Sequence, residues 1–297
     1  MRYLVFEAGG RAGLSAELFF RSRREPSADD TLLLADMDPT YFQCPSPKGV
    51  RRLDEREVLA LIAEDSSDMV VFPADELARQ GKESVFNLCR NNPFTAVDKW
   101  FFDKKKMNEN LSVATEGCTI AIPQTFELSD VFMRPDTMSA GSHGVGRLSN
   151  ICITQYVEIE HEYVVDVDFT SNMPVVYPRE VKIKNGYDRY LKFLPRDGKV
   201  GGAVQEFVLA LRAAYPMMVT GIFHIQLIEN KEGKLFFVEY SKRISGTSIV
   251  NLQRGYNPFD SFAGLGPAPA SPQCAPEGTW FRYEDMMGRV FEVMAGR

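Results

Sequence analysis

Histidine is scarce, with three in 297 residues, and the five cysteines (Cys44, Cys89, Cys118, Cys152 and Cys274) are scattered and never spaced as C-x-x-C. That excludes the cysteine spacings of a zinc site and gives no disulfide framework, so the thiols are expected to be reduced and mostly buried. Long apolar runs are also lacking. No stretch approaches the roughly 18 uninterrupted apolar residues of a membrane span, and the start "MRYLVFEAGG" has no signal-peptide core or cleavage site, so a cytoplasmic protein is expected. Basic charge is not in excess either. A formal charge of -6 supplies no field for nucleic acid, and neither nucleic acid nor membrane is expected as a partner. The one basic run, "DKWFFDKKK" at 98 to 106, reads as a solvated helix face with room for one functional lysine.

What is present is the composition of a globular chain, 44% apolar and 25% charged, long enough for two or three lobes. The chain opens with an apolar strand, "YLVF", a glycine-rich turn, "EAGGRAG", a helix from Leu14 onward, and a second strand, "TLLLADMDP". A helical segment, "DEREVLALIAE", and a third strand, "DMVVFPADEL", complete a small parallel α/β lobe of about 90 residues. After Pro93 the grammar changes to short strands and glycine-rich turns, as in antiparallel sheet with interspersed helices, so the fold class is α/β followed by α+β. "AVQEFVLALRAAY" carries apolar residues at 204, 207, 208, 211 and 215, a helical stripe. "GPAPASPQCAP" reads as an extended linker before a closing helix, "RYEDMMGRVFEVM".

The stretch "HIQLIENKEGKLFFVEYSKR" (224 to 243) places a glutamate inside an apolar strand, where burial costs several kcal/mol unless a partner meets it. A hairpin with a four-residue loop, Lys231 to Lys234, pairs Gln226 with Glu239 and His224 with Ser241 on one sheet face. The intervening Phe223, Ile225, Phe236, Val238 and Tyr240 are expected to pack on the other face. Directly opposed side chains start about 4.5 to 5.5 Å apart. An amide oxygen and a carboxylate at that spacing can share a hard cation, and they can equally form a plain hydrogen-bonded pair. Arg243 falls near the same face and can neutralise phosphate oxygens.

"HIQLIENKEGKLFFVEYSKRISG" resembles the metal-binding end of the ATP-grasp superfamily, in the branch of the carbamoyl-phosphate synthase large chain and related carboxylate-amine ligases. Three further segments resemble that superfamily in the same order: "AVDKWFFDKKKMNENL", "VFMRPDTMSAGSHGVGRL" and "TQYVEIEHEYVVDVDF". The resemblance implies a Rossmann-like N-terminal domain over 1–92 and an ATP-grasp domain over 93–265 with a lid at about 97–157. Residues 266–297 would be linker and helix. It implies ATP and Mg2+ as cofactors and a ligase that activates a carboxylate as an acyl phosphate for attack by an amine. Metal contacts fall on Gln226, Glu239 and Ser241, phosphate contacts on Lys99 and Arg134, and the phosphate-covering loop on Ser139, Gly141, Ser142, His143 and Gly144. Gln155, Tyr156 and Val157 would meet adenine through the main chain, and Glu162 the ribose. Arg243 becomes the catalytic cation. Arg179, Lys182, Ser245 and Gly246 are candidates for a small-molecule acid or amine, with a solvated strand as the alternative for Arg179 and Lys182. Ser241 replaces the family's asparagine and His143 an arginine.

Two other readings remain open. Gly9, Gly10 and Gly13 with Asp36 also resemble a dinucleotide fingerprint, which would make a nicotinamide-dependent oxidoreductase. The departures at Ser241 and His143 would suit a degenerate nucleotide-binding scaffold or sensor. The acid, the nucleophile and the oligomeric state, a homodimer included, are not legible.

Overall fold

The computed structural model describes residues 1–6, 11–35, 49–54, 57, 60, 69–72, 104–126, 153–184, 187–216, 219–271 and 274–287. The residues Gly9, Gly10, Asp36, Lys99, Arg134, Ser139, Gly141, Ser142, His143 and Gly144, to which the sequence assigns roles, lie outside them.

The first lobe is a parallel sheet of four strands, β1 (Arg2–Val5), β2 (Thr31–Ala35), β3 (Val50–Leu53) and β4 (Met69–Phe72), in the order β3-β2-β1-β4. Its central strands are continuous apolar runs because both faces are covered. The edge strand β3, "VRRL", was not expected from the sequence; two arginines in four residues hide its pairing tendency. The helix α1 (Arg11–Arg21) begins three residues before the expected Leu14 and takes in Gly13. After β3, Asp54 and Glu57 exchange side chain-to-backbone hydrogen bonds at 2.9 Å in both directions, a reciprocal helix start.

The second sheet has six antiparallel strands in the order β11-β10-β7-β8-β9-β12: β7 (His161–Phe169), β8 (Val175–Lys184), β9 (Tyr187–Phe193), β10 (Gly221–Glu229), β11 (Leu235–Ser241) and β12 (Trp280–Arg282). A helix α2 (Lys104–Ala114) and a two-stranded sheet of β5 (Thr125–Phe126) and β6 (Ile153–Thr154) lie between the lobes in sequence. The helix α3 (Lys199–Ala214) buries Val204, Phe207, Val208 and Leu211, the stripe read from the sequence.

Sheet periodicity divides the large sheet into two faces. The back face carries Tyr163, Val165, Val167, Phe223, Ile225, Leu227, Leu235, Phe237 and Tyr240, which share a core with α2 and α3. The front face contributes Val164, Tyr177, Val181, Leu191, Phe193 and Ile222 to a second core with the first lobe, a 3-10 turn (Ser248–Arg254) and α4 (Pro258–Phe262). Phe259 of α4 sits edge-on to Tyr3, Phe20 and Phe72, with ring centroids 4.6 to 5.9 Å apart. The 3-10 turn ends at Gly255, φ 78°, where a Cβ would lie 1.8 Å from the Ala268 carbonyl oxygen. Glycine is therefore required both for the left-handed backbone and for the passage of the proline-rich segment. The described residues of that segment are irregular, as expected. The strand β12 after it was not expected; it extends the large sheet and carries Trp280 beneath Lys182 and Lys192, whose ammoniums lie 4.4 and 4.9 Å from the ring centroid. Of the cysteines, Cys118 and Cys274 are described, unbridged and only partly buried.

Candidate active site

The hairpin pairs Gln226 with Glu239, Ile225 with Tyr240 and His224 with Ser241, the expected register. Nearer the turn the register differs: Leu227 faces Phe237 and Glu229 faces Leu235, so the loop has five residues, Asn230 to Lys234. Gly233 takes φ 76° there, and Asn230 Oδ1 accepts from the Lys234 N–H at 2.8 Å. A bulge at Val238 absorbs the difference, leaving that side chain 37% exposed. The expectation that Phe236 and Val238 pack with Tyr240 is thereby corrected. Leu235 and Phe237 pack with Tyr240 instead, because the extra residue inverts the alternation between them. The same inversion turns Glu239 out of the α3 core and onto the front face beside Gln226. Strict alternation from Leu235 would have driven the carboxylate into apolar packing.

On that face Gln226 and Glu239 are partly exposed and Ser241 is buried, its Oγ accepting weakly from the Arg243 N–H at 3.4 Å. Arg243 Nη2 lies 3.8 Å from Glu239 Oε1, both side chains about a quarter exposed. On β7, Glu162 faces Ile228 and Val164 faces Gln226, so Glu162 shares the front face two positions along from the pair. The main chain of Gln155 is already engaged, its N–H donating to Gln124 O at 2.8 Å. Tyr156 is 87% exposed, which leaves its side chain clear of the protein.

Arg179 and Lys182 separate. Three residues apart on β8, they point to opposite faces: Lys182 is exposed on the back over Trp280, whereas Arg179 is fully buried on the front. Arg179 Nη1 pairs with Asp166 Oδ2 at 2.5 Å, and its Nη2 reaches Ser245 Oγ at 3.0 Å and Thr247 Oγ1 at 2.9 Å. Asp166 Oδ2 also accepts from Asn251 Nδ2 at 2.7 Å. A buried charge is tolerated here because the ion pair is completed by neutral hydrogen bonds. The residues 243 to 247 are thus tied to β8, β7 and the 3-10 turn. His224, 1% exposed between Asp166 and Ser241, has Nδ1 3.2 Å from Arg243 O, and burial followed by the nearby Arg243 charge holds its pKa well below the usual histidine value. The ring is neutral at pH 7, so Nδ1 donates to that carbonyl when it carries the proton.

Asp166 and Asn251 were missed by sequence reasoning, whereas His224 was placed on this face opposite Ser241 without a role. The signal for Asp166 was present in "VVDVDF", where acids interrupt an apolar strand as Glu239 does in "LFFVEY"; Asn251 left no such signal.

The donors Gln226, Glu239 and Ser241 are all oxygen atoms, the chemistry magnesium selects. Among the described residues no group of three or more histidine, cysteine, aspartate or glutamate side chains could hold a metal alone. The set therefore suits an ion that takes most of its ligands from phosphate and water.

No family model matches this chain, and no curated protein sequence matches it. Solved structures match its fold. The N5-carboxyaminoimidazole synthase of Aspergillus clavatus, in complex with ADP and 5-aminoimidazole ribonucleotide, aligns with TM-score 0.57 at 13% identity over 91% of this chain and 78% of that one. An L-amino acid ligase from Bacillus licheniformis aligns with TM-score 0.55 at 10% identity over 90% and 75%. An ATP-grasp superfamily protein from Archaeoglobus fulgidus aligns with TM-score 0.57 at 12% identity over 91% and 90%. The chain has the ATP-grasp fold, a parallel four-stranded sheet joined to an antiparallel six-stranded one. No helix among the described residues is long and apolar enough to cross a membrane.

Proposed function

We propose that the protein is an ADP-forming, ATP- and magnesium-dependent ligase that joins a carboxylate to an amine. The observation that carries this reading is the direct pairing of Gln226 with Glu239 on one sheet face, with Glu162 and Arg243 on that same side, in a chain of ATP-grasp fold. The names of the fold neighbours, an L-amino acid ligase and a carboxyaminoimidazole synthase bound to ADP, support the same class of chemistry.

Gln226 and Glu239, with Ser241 behind them, would hold magnesium, which supplies charge neutralisation to the triphosphate. Glu162 accepts from the ribose hydroxyls, and the 155–157 main chain borders the adenine. Lys99, Arg134 and the loop carrying Ser139, Gly141, Ser142, His143 and Gly144 complete the phosphate contacts and exclude water from the reactive intermediate. A substrate carboxylate oxygen attacks the γ-phosphorus, and the bond to the β-phosphate oxygen breaks with its electrons going to ADP. The amine nitrogen then attacks the acyl carbon; phosphate leaves and the amine gives up a proton. Arg243 stabilises the charge that develops on the transferring group. Ser245 and Gly246 border the substrate. Arg179 contributes by holding Ser245 and Thr247, and Lys182, on the back face, lies away from this group.

Glu239→Gln tests the reading. ADP release in a screen of acid and amine mixtures should fall by about 10²-fold or more, as for loss of one transition-state electrostatic contact, with little change in thermal midpoint. Undiminished ligation in that variant would refute the metal assignment. Stabilisation of the wild type by NADPH rather than by ATP with magnesium would instead favour the oxidoreductase.

A further inference from the structure

The segment Arg243 to Thr247 follows the strand that carries Glu239, and three of its carbonyl groups are engaged by side chains. Arg243 O lies 3.2 Å from His224 Nδ1. Ser245 O accepts from Ser248 Oγ at 2.7 Å and from the Ser248 N–H at 3.0 Å. Gly246 O accepts two hydroxyls, Ser15 Oγ at 3.2 Å and Tyr283 OH at 3.1 Å. These last two donors come from opposite ends of the chain: Ser15 is fully buried on α1 of the first lobe, and Tyr283 is 6% exposed just after β12.

One donor is enough to satisfy a buried carbonyl. A second donor, on a separate element, does something else: two fixed hydroxyls triangulate the oxygen and so set the rotation of the peptide plane. In a trans peptide the N–H points opposite to the C=O, so the Thr247 N–H is turned away from those two hydroxyls and donates to Ser245 Oγ at 3.4 Å, the oxygen that Arg179 Nη2 also meets at 3.0 Å. The orientation of Ser245, Gly246 and the neighbouring Arg243 is therefore set from two lobes at once.

From this geometry we infer that Ser15 and Tyr283 are positioning residues for the reaction centre, acting through the Gly246 carbonyl on the 243–247 segment. The inference rests on the ligase reading and adds to it that residues 279–287, beyond the proline-rich linker, belong to the catalytic unit. Neither hydroxyl is placed to touch the nucleotide, so their loss should change turnover and leave ATP binding alone.

The test compares wild type, Tyr283→Phe, Ser15→Ala and the double variant, each as the full chain. Two readouts are used: slow hydrolysis of ATP with magnesium, resolved into kcat and the KM for ATP, and the thermal shift produced by ATP with magnesium. The expected result is a fall in kcat of about 3- to 10-fold in each single variant and more in the double, with KM and the ATP-induced shift unchanged. A double variant whose kcat stays within about twofold of wild type overturns the proposal, as does a matched rise in KM that places the effect on nucleotide binding. A purely structural role would lower the unliganded midpoint without moving kcat. Failure of the ligase reading shows differently, as a wild type that neither hydrolyses ATP nor is stabilised by it.

Discussion

Lys242 lies between two front-face residues, Ser241 and Arg243, and alternation sends it to the back of the sheet. There its side chain is fully buried, with Nζ 3.2 Å from the Thr220 carbonyl and Arg212 of α3 nearby. Burial first, and the Arg212 charge second, push its pKa down from 10.5 to about 7. The unfolded chain keeps this lysine protonated up to about pH 10.4. Between about pH 7 and 10 the unfolded state therefore binds more protons than the folded one, and stability rises with pH. Each pH unit is worth about 1.4 kcal/mol, so the burden at pH 7 and below amounts to at most about 5 kcal/mol, and it vanishes near pH 10. Lys242→Met keeps the volume and removes the charge, while leaving the Thr220 carbonyl without this donor, which returns about 1 to 2 kcal/mol. The variant should be more stable than wild type by about 2 to 4 kcal/mol at pH 6 to 7, with the difference falling through zero on the way to pH 10, where the lost hydrogen bond leaves it about 1 to 2 kcal/mol less stable. Urea unfolding at pH 6, 7, 8.5 and 10 measures this directly. An equal difference at pH 6 and pH 10, or a loss of stability at pH 6, would refute the reasoning. The stabilisation by ATP with magnesium should be the same in both proteins, because the residue faces away from Glu239.

Arg179→Ala leaves Asp166 buried without its cation and should cost about 3 to 5 kcal/mol in urea unfolding, whereas pairing it with Asp166→Leu should recover part of the loss; a single variant within about 1 kcal/mol of wild type would show that the pair carries little. Val238 is the extra residue of the bulge, so deleting it leaves Phe237 opposite Leu227 and Glu239 opposite Gln226 in an unbroken ladder; the variant should keep its response to ATP with magnesium and most of its stability, and Val238→Thr, at a 37% exposed position, should be near neutral in both. A deletion variant that loses the ATP-induced thermal shift would contradict this register.

The parallel lobe and the α3 stripe were legible because local patterns decide them. Runs such as "TLLLA" are buried on both faces, and the apolar set at 204, 207, 208 and 211 has one helical phase. The strands β3 and β12 were not legible, since each is an edge whose arginines and exposed positions carry no apolar alternation. The bulge lay beyond local pattern for a different reason. In "LFFVEYS" every register buries some aromatic residue, and only the demand that Leu235, Phe237 and Tyr240 all face α3 selects the insertion at Val238.

Acids inside apolar strands marked the candidate site, but a single strand does not say what each acid meets. Glu239 faces an amide across β10 and remains partly exposed, an arrangement open to a ligand. Asp166 lies diagonal to an arginine that the next strand also buries, and it is closed off by that arginine and Asn251. Arg179 was read from sequence as a contact for an acidic substrate, since "YPREVKIK" shows it among exposed-looking charges. Its partner is two positions further along the neighbouring strand's pairing, a relation only the sheet register reveals. The same kind of residue is thus left open to the cleft side in one strand and closed off as an internal counter-ion in another. The difference lies in whether the facing strand supplies a neutral oxygen or a guanidinium.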